Sequence, residues 1–232
     1  MATVLLVRHG RSSANTAGVL AGWTPGVHLD DVGQAQATAL AARLAGLPLA
    51  RVVTSPLERC RQTAARAVPG QEATPDDRLG EVGYGSWTNR PLKELAREPL
   101  WRTVQAQPSA VVFPDGEAMG AMAARAVTAI REHDRAVTAE AGPDALWLAC
   151  SHGDVIKAVL ADALGLHLDA FQRIVVDPAS VSIVRYTDSR PFVLRMNDGG
   201  GGLEHLRPKG RKRRRPRTDA VVGGGAGPTA VG

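Results

Sequence analysis

Three short apolar runs constrain this chain more than any other feature: TVLLV at 3–7, ARVVTSP at 50–56 and ALWLAC at 145–150, each stopping abruptly in a polar cluster. Runs this short and this rich in branched side chains read as strands of a parallel sheet that is covered on both faces. Helical spacing fills the intervals. It runs over 32–44, with Asp30 or Asp31 as N-cap and Gly46 at the stop, and over 57–68, where Leu57, Cys60, Ala64 and Ala67 recur at three and four. Further helical stretches are expected at about 92–105, 117–140 and 155–164, and two later runs, SVSIVRY and FVLRM, read as strands joined by a short turn. Strands alternating with helices imply an α/β fold: a mostly parallel central sheet flanked by helices on both faces.

Residues 69–90, rich in Gly, Pro and Asp, are expected to be loop. From 197 onward the chain reads GGGG, PKGRKRRRPRTD and VVGGGAGPTAVG, which offers too little apolar surface to offset the entropy of ordering. The expected organisation is therefore one domain over 1–196 and a disordered Gly/Arg-rich tail over 197–232.

Charge follows the same division. The formal net charge is +5, from 28 basic and 23 acidic residues, and residues 198–219 hold eight of those bases against three acids. Twenty of each remain, so the body is formally neutral. A tail of this kind could contact nucleic-acid phosphates, but it lacks interleaved aromatics for base stacking, and nucleic acid is not the partner expected of the body. No apolar run approaches a membrane span, and no basic segment precedes an apolar one at the start, so a cytoplasmic protein without membrane contact is expected. Cys60 and Cys150 form neither a CxxC pair nor part of a ligand cluster, so no disulfide framework and no zinc site is expected.

Open α/β sheets place their sites just past the carboxyl ends of strands. There lie Arg8-His9-Gly10, the group from Ser55 to Arg61, and Ser151-His152-Gly153-Asp154. Neighbouring strands would bring together two guanidinium forks, Arg8 with Arg59 or Arg61, and two imidazoles, His9 and His152. Arginine donates in a planar, bidentate manner to oxyanions, and imidazole serves as nucleophile or donor, so the set suits a tetrahedral dianion. Arginines beside the histidines would oppose a divalent cation, and no Gly-rich nucleotide loop is present.

At these residues the chain resembles the histidine phosphatase superfamily, the phosphoglycerate mutase-like proteins. LVRHGRSSAN is similar to the family's opening motif, with Asn15 at the matching offset; SPLERCRQTA to its second arginine motif, selecting Arg59 over Arg61; LGEVGYGSW to the segment carrying its acid, placed on Glu81; and CSHGDVIKAV to its second histidine motif. The likeness covers about 1–196 in order.

The resemblance implies a phosphomonoester hydrolase, working without metal or other cofactor on a small phosphorylated metabolite. His9 would form a phosphohistidine, its other ring N–H fixed by a neighbouring carbonyl. Arg8, Arg59 and His152 would hold the nonbridging oxygens, and Glu81 would act as general acid and then base, with a raised pKa. Asn15, Gly153 and Ser12 are further expected phosphate donors. A phosphomutase of the same family is the first rival, although Glu81 and His152 lie only 71 residues apart, little room to shield a phosphoenzyme from water. A non-catalytic module binding a phospholigand, or nucleic acid through the tail, is the second. Glu117 reads either as a group near the substrate or as a helix cap; Trp87, Arg90, Trp101 and Arg102 either roof the pocket or pack. A homodimer is common among similar proteins.

Overall fold

The computed structural model describes residues 1–201 and 220–227. Strands β1 (Thr3–Arg8), β2 (Leu49–Thr54), β3 (Thr74–Pro75), β4 (Leu146–Ser151), β5 (Val181–Arg185) and β6 (Phe192–Asp198) form one sheet in the order β3-β2-β4-β1-β5-β6. The first four are mutually parallel; β5 and β6 join antiparallel on the far side of β1. Helices α1 (Ser13–Ala17), α2 (Asp31–Leu44), α3 (Glu58–Ala67), α4 (Leu92–Leu95), α5 (Pro99–Ala106), α6 (Met119–Ala141) and α7 (Gly153–Ala163) complete the layers.

The two faces of the sheet are sorted by the period of two along each strand. Val4, Leu6, Val53, Trp147 and Ala149 pack with Met122, Ala126 and Ile130 of α6 and Val155, Ile156 and Val159 of α7. Leu5, Val7, Val52, Leu148 and Cys150 pack with Leu40 and Leu44 of α2 and Cys60 and Ala64 of α3. Both faces are thus covered, which explains why the strands read as unbroken apolar runs.

Register brings the three polar clusters to one edge. Arg8 lies opposite Ser151, and Cys150 lies opposite both Val7 and Thr54, so β1, β4 and β2 end level with one another. The ladder continues one step beyond: His9 N–H donates to Ser151 (3.0 Å) and Ser55 N–H to Cys150 (2.9 Å).

The chain leaves β1 by lying directly on α2. A Cβ at Gly33 would sit 1.9 Å from the Arg11 carbonyl oxygen, and one at Gly10 would sit 2.6 Å from the Gly33 oxygen. Gly33→Ala should therefore cost about 3 kcal/mol or more, because overpacking against backbone outweighs the roughly 1 kcal/mol that alanine gains over glycine in a helix. Thermal unfolding checks this; a melting temperature equal to that of the parent would show that the loop after His9 can lift away from α2.

Three expectations need amendment. The stretch 92–105 is two helices, because Pro99 holds Glu98 in an extended conformation and opens α5 as its first residue. The loop expected at 69–90 contributes the edge strand β3, paired with Val53 and Thr54. The tail expected to be disordered from 197 does not begin there in the structure: β6 runs to Asp198, and residues 220–227 pack against the body, with Val222 only 1% exposed. The rest of that expectation, including the basic residues at 207–217, falls outside the described residues. Among the described residues no helix is long and apolar enough to cross a membrane.

Candidate active site

Arg8 and His9 follow from β1, Arg59 from the first turn of α3 and His152 from the end of β4. All are buried, at 0%, 2%, 2% and 0% exposure, while Arg61 on the same helix as Arg59 is exposed. Helical geometry decides between the two arginines, since positions two apart face in different directions. Glu81, on the loop after β3, completes the cluster and is 4% exposed. These five were placed together on sequence grounds, and the structure brings them together.

The hydrogen bonds assign the tautomers. His9 Nδ1 lies 2.7 Å from the Gly10 carbonyl oxygen, which can only accept, so Nδ1 carries the proton and Nε2 keeps its lone pair. His152 Nδ1 lies 3.2 Å from Arg59 Nη2, which can only donate, so its Nε2–H points to Ser55 Oγ at 2.8 Å. The two imidazoles meet edge to face at 5.2 Å between centroids. Arg59 Nη2 also donates to the Gly22 carbonyl (2.9 Å), whereas its buried Nη1 has no hydrogen-bond partner among the described residues. A buried, unpaired guanidinium N–H carries a desolvation cost that an incoming oxyanion would remove.

Electrostatics separate the roles further. Burial, then Arg59 and Arg8, hold His9 well below the usual imidazole range, so the ring is neutral at physiological pH. Burial, followed by Arg59 and His9, does the same to His152. Glu81 moves the other way: burial first and the Asp154 carboxylate second raise it to about 7, partly opposed by Arg59 and the Val82 N–H. Burial lowers Arg8 to about 10, which leaves it charged at neutral pH.

Ser12 and Asn15 line the pocket beside His9, Arg59 and Glu81. Their first task is local: Ser12 N–H and Oγ–H donate to Asn15 Oδ1 (3.0 and 2.9 Å), and Ser12 Oγ accepts from Asn15 N–H (3.3 Å), a reciprocal cap on α1. The Asn15 carbonyl oxygen is thereby occupied, leaving its amide NH2 as the group to offer a ligand. Gly153 is the first residue of α7, so its N–H belongs to the unpaired first turn.

The support of Glu81 was not legible in the sequence. Arg125 of α6 donates to the carbonyls of Arg78 (2.7 Å), Gly80 (2.8 Å) and Glu81 (2.9 Å) and forks onto both oxygens of Glu117 (2.7 and 2.9 Å). Glu117 in turn accepts from Gly83 N–H at 3.1 Å, and the Trp23 indole also donates to the Glu81 carbonyl. Glu117 thus clamps the loop that carries Glu81, and α6 has no side-chain cap. No local spacing links residue 125 to residue 81; only packing of α6 under the loop does. Arg125→Lys loses the fork geometry and leaves carbonyls unpaired, at a cost of about 2 kcal/mol in urea denaturation. A change below about 0.5 kcal/mol, the size expected of an exposed pair, would show the loop to be held elsewhere.

The tryptophans offered as roof residues are packing residues: Trp87 and Trp101 are 2% and 7% exposed and stack at 6.3 Å beside Phe113. Arg90 pairs with Glu98. Asp154, quoted in the SHGD cluster without a role, proves to be a buried hub that accepts from the Tyr84 hydroxyl (3.2 Å), Lys157 (3.1 Å) and Gly223 N–H (2.8 Å).

Known proteins resemble this chain over most of its length. The chain is 31% identical over 193 residues to the protein named probable phosphoglycerate mutase GpmB of Yersinia enterocolitica, covering 82% of this chain and 87% of that one. Its fold is similar to that of Bacillus stearothermophilus YhfR (TM-score 0.76, 25% identity, 85% and 98% of the two chains). It is also similar in fold to the α-ribazole phosphatase of Shigella flexneri (TM-score 0.72, 24% identity, 87% and 99%). A mycobacterial glucosyl-3-phosphoglycerate phosphatase shares the fold as well (TM-score 0.74, 24% identity, 84% and 98%). Residues 4–199 match the histidine phosphatase superfamily (branch 1), to which this chain belongs.

Proposed function

We propose that the protein is a phosphomonoester hydrolase that works through a phosphohistidine on His9. The observation that carries this reading is the pairing, in one buried cluster, of a neutral imidazole whose Nε2 is left free by the Nδ1–Gly10 hydrogen bond with a carboxyl group raised to about 7. A pocket that only bound phosphate would use the arginines and have no need of Glu81.

In the first half-reaction, His9 Nε2 attacks phosphorus in line; the N–P bond forms, the P–O bond to the leaving group breaks, and Glu81 supplies a proton to the departing alkoxide. Arg8 and Arg59 hold the nonbridging oxygens and counter the charge of the transition state, and His152 joins them once the incoming dianion has drawn a proton onto its Nδ1, which accepts from Arg59 in the empty pocket. In the second, the Glu81 carboxylate takes a proton from water as the water oxygen attacks phosphorus and the N–P bond breaks, which restores His9 and releases phosphate. The Asn15 amide NH2 and the Gly153 N–H are further donors to the phosphoryl group, whereas Ser12, expected among them, has both its N–H and its hydroxyl engaged by Asn15 and acts by holding that side chain.

The mutase reading rests on the curated relative's name. It keeps the phosphohistidine and returns the phosphoryl group to a second hydroxyl. A panel of sugar phosphates, phosphoglycerates and nucleotides, followed for released phosphate, tests the proposal. Release at a rate above phosphoglycerate interconversion supports a hydrolase; interconversion without net release assigns a mutase.

A further inference from the structure

We propose that the oxyanion pocket is also the docking site of the chain's own C-terminal segment, residues 220–227, whose glycine carbonyls occupy Arg8 and must be displaced before a phosphomonoester can bind. The inference rests on the reading of Arg8 as an oxyanion ligand given above. It starts from the hydrogen bonds of that side chain. Arg8 Nη2 donates to the carbonyls of Gly225 (2.6 Å) and Gly223 (3.2 Å), and Nη1 to those of Gly224 and Val176 (2.8 Å to the latter). Both terminal nitrogens are therefore engaged, three of their four acceptors coming from one tripeptide. A phosphate cannot take the bidentate fork while these bonds stand.

The segment is fitted to this place. Gly223, Gly224 and Gly225 have φ of 70°, 78° and 55°, the left-handed region that glycine enters without strain, and the curl turns their carbonyls towards one guanidinium. A Cβ at Gly224 would lie 2.9 Å from Arg8 Nη1, and one at Gly153 would lie 3.1 Å from the Gly224 Cα, so only glycine on both sides permits the approach. Three anchors flank the contact. Ala220 and Gln105 exchange two hydrogen bonds of 2.9 Å, Val222 is buried as part of the core, and Gly223 N–H donates to Asp154 at 2.8 Å. The segment thus supplies acceptors to Arg8 while its anchors lie outside the set of groups that hold phosphate.

Charge makes the arrangement reversible. A carbonyl offers the charged guanidinium only a dipole, whereas a phosphate dianion offers two negative charges and bidentate geometry. A dianion therefore displaces the segment, but its apparent affinity falls by the fraction of molecules in which the pocket is already filled. The run GGG at 223–225, which in composition alone looks like a spacer, becomes a competitor for the site.

The test uses the full chain with two single changes outside the catalytic groups. Gly224→Val meets Arg8 and strains a left-handed position, and Gln105→Ala removes a distant anchor. Binding of inorganic phosphate is followed by calorimetry, which needs no turnover. The dissociation constant should tighten about tenfold or more in Gly224→Val and about threefold in Gln105→Ala. Unchanged affinity in both would overturn the proposal, and weaker affinity would do so too, since it would make the segment a part of the phosphate site. If neither the parent nor the variants bind phosphate at all, the oxyanion reading of Arg8 falls and this proposal falls with it; equal binding by all three removes the docking segment alone.

Discussion

Replacing His9 by alanine should reduce kcat/KM by about four orders of magnitude on every phosphomonoester the protein accepts, because loss of a nucleophile removes the covalent route and leaves only the pocket's binding of the transition state. The fold should be little affected. His9 is buried, but its side-chain hydrogen bond goes to the adjacent Gly10, and its backbone N–H remains paired with Ser151. The same substitution should abolish acid-labile radiolabel transferred from a labelled substrate to protein. Label that persists in His9→Ala, or activity within tenfold of the parent, would exclude His9 as the attacking group.

Glu81→Gln has the next largest effect, and its size should depend on the leaving group. General acid catalysis typically contributes 10²–10⁴-fold, and that contribution matters most when the departing alkoxide is a strong base. A loss of about 10³-fold on an alkyl phosphate and about tenfold on nitrophenyl phosphate is expected. Equal losses on both would show that Glu81 does not deliver the proton. The pH profile carries the sign: Glu81 must be protonated to act as acid, and burial together with Asp154 raises it to about 7. kcat/KM for an alkyl phosphate should therefore fall as pH rises through about 7. The alkaline limb should vanish in Glu81→Gln, since an amide has no proton to lose there. A limb that persists unchanged in the variant would assign the titration to another group.

How much of this was legible beforehand differs residue by residue. Arg8, His9 and His152 announce themselves because each sits at the end of an apolar run, and a parallel sheet delivers strand ends to one edge. Arg59 needed the motif to be separated from Arg61, and the structure supplies the reason, placing one side chain in the pocket and the other in solvent. Arg125 was invisible: it acts on three carbonyls 44 to 47 positions earlier, and nothing in its own neighbourhood marks it. The break at Pro99 was readable in principle from the proline itself. The docking of Gly223–Gly225 was not, because low complexity describes what a segment cannot bury by itself and says nothing of acceptors it can lend to a charge already buried elsewhere.

What the sequence determined by itself is therefore the chemistry and its approximate address: two arginines, two histidines and a carboxylate, carried by strands whose apolar runs demand a covered parallel sheet. What only the tertiary structure decided is which atoms of these groups are free. The raised affinity of Glu81 for its proton, the Arg59 Nη1 left without a partner among the described residues and the occupied fork of Arg8 all depend on neighbours distant in the chain or on exclusion of water. Hydrogen bonds and desolvation act over a few ångströms of space, whatever the separation along the backbone, so a string of residues specifies the participants while packing specifies their state.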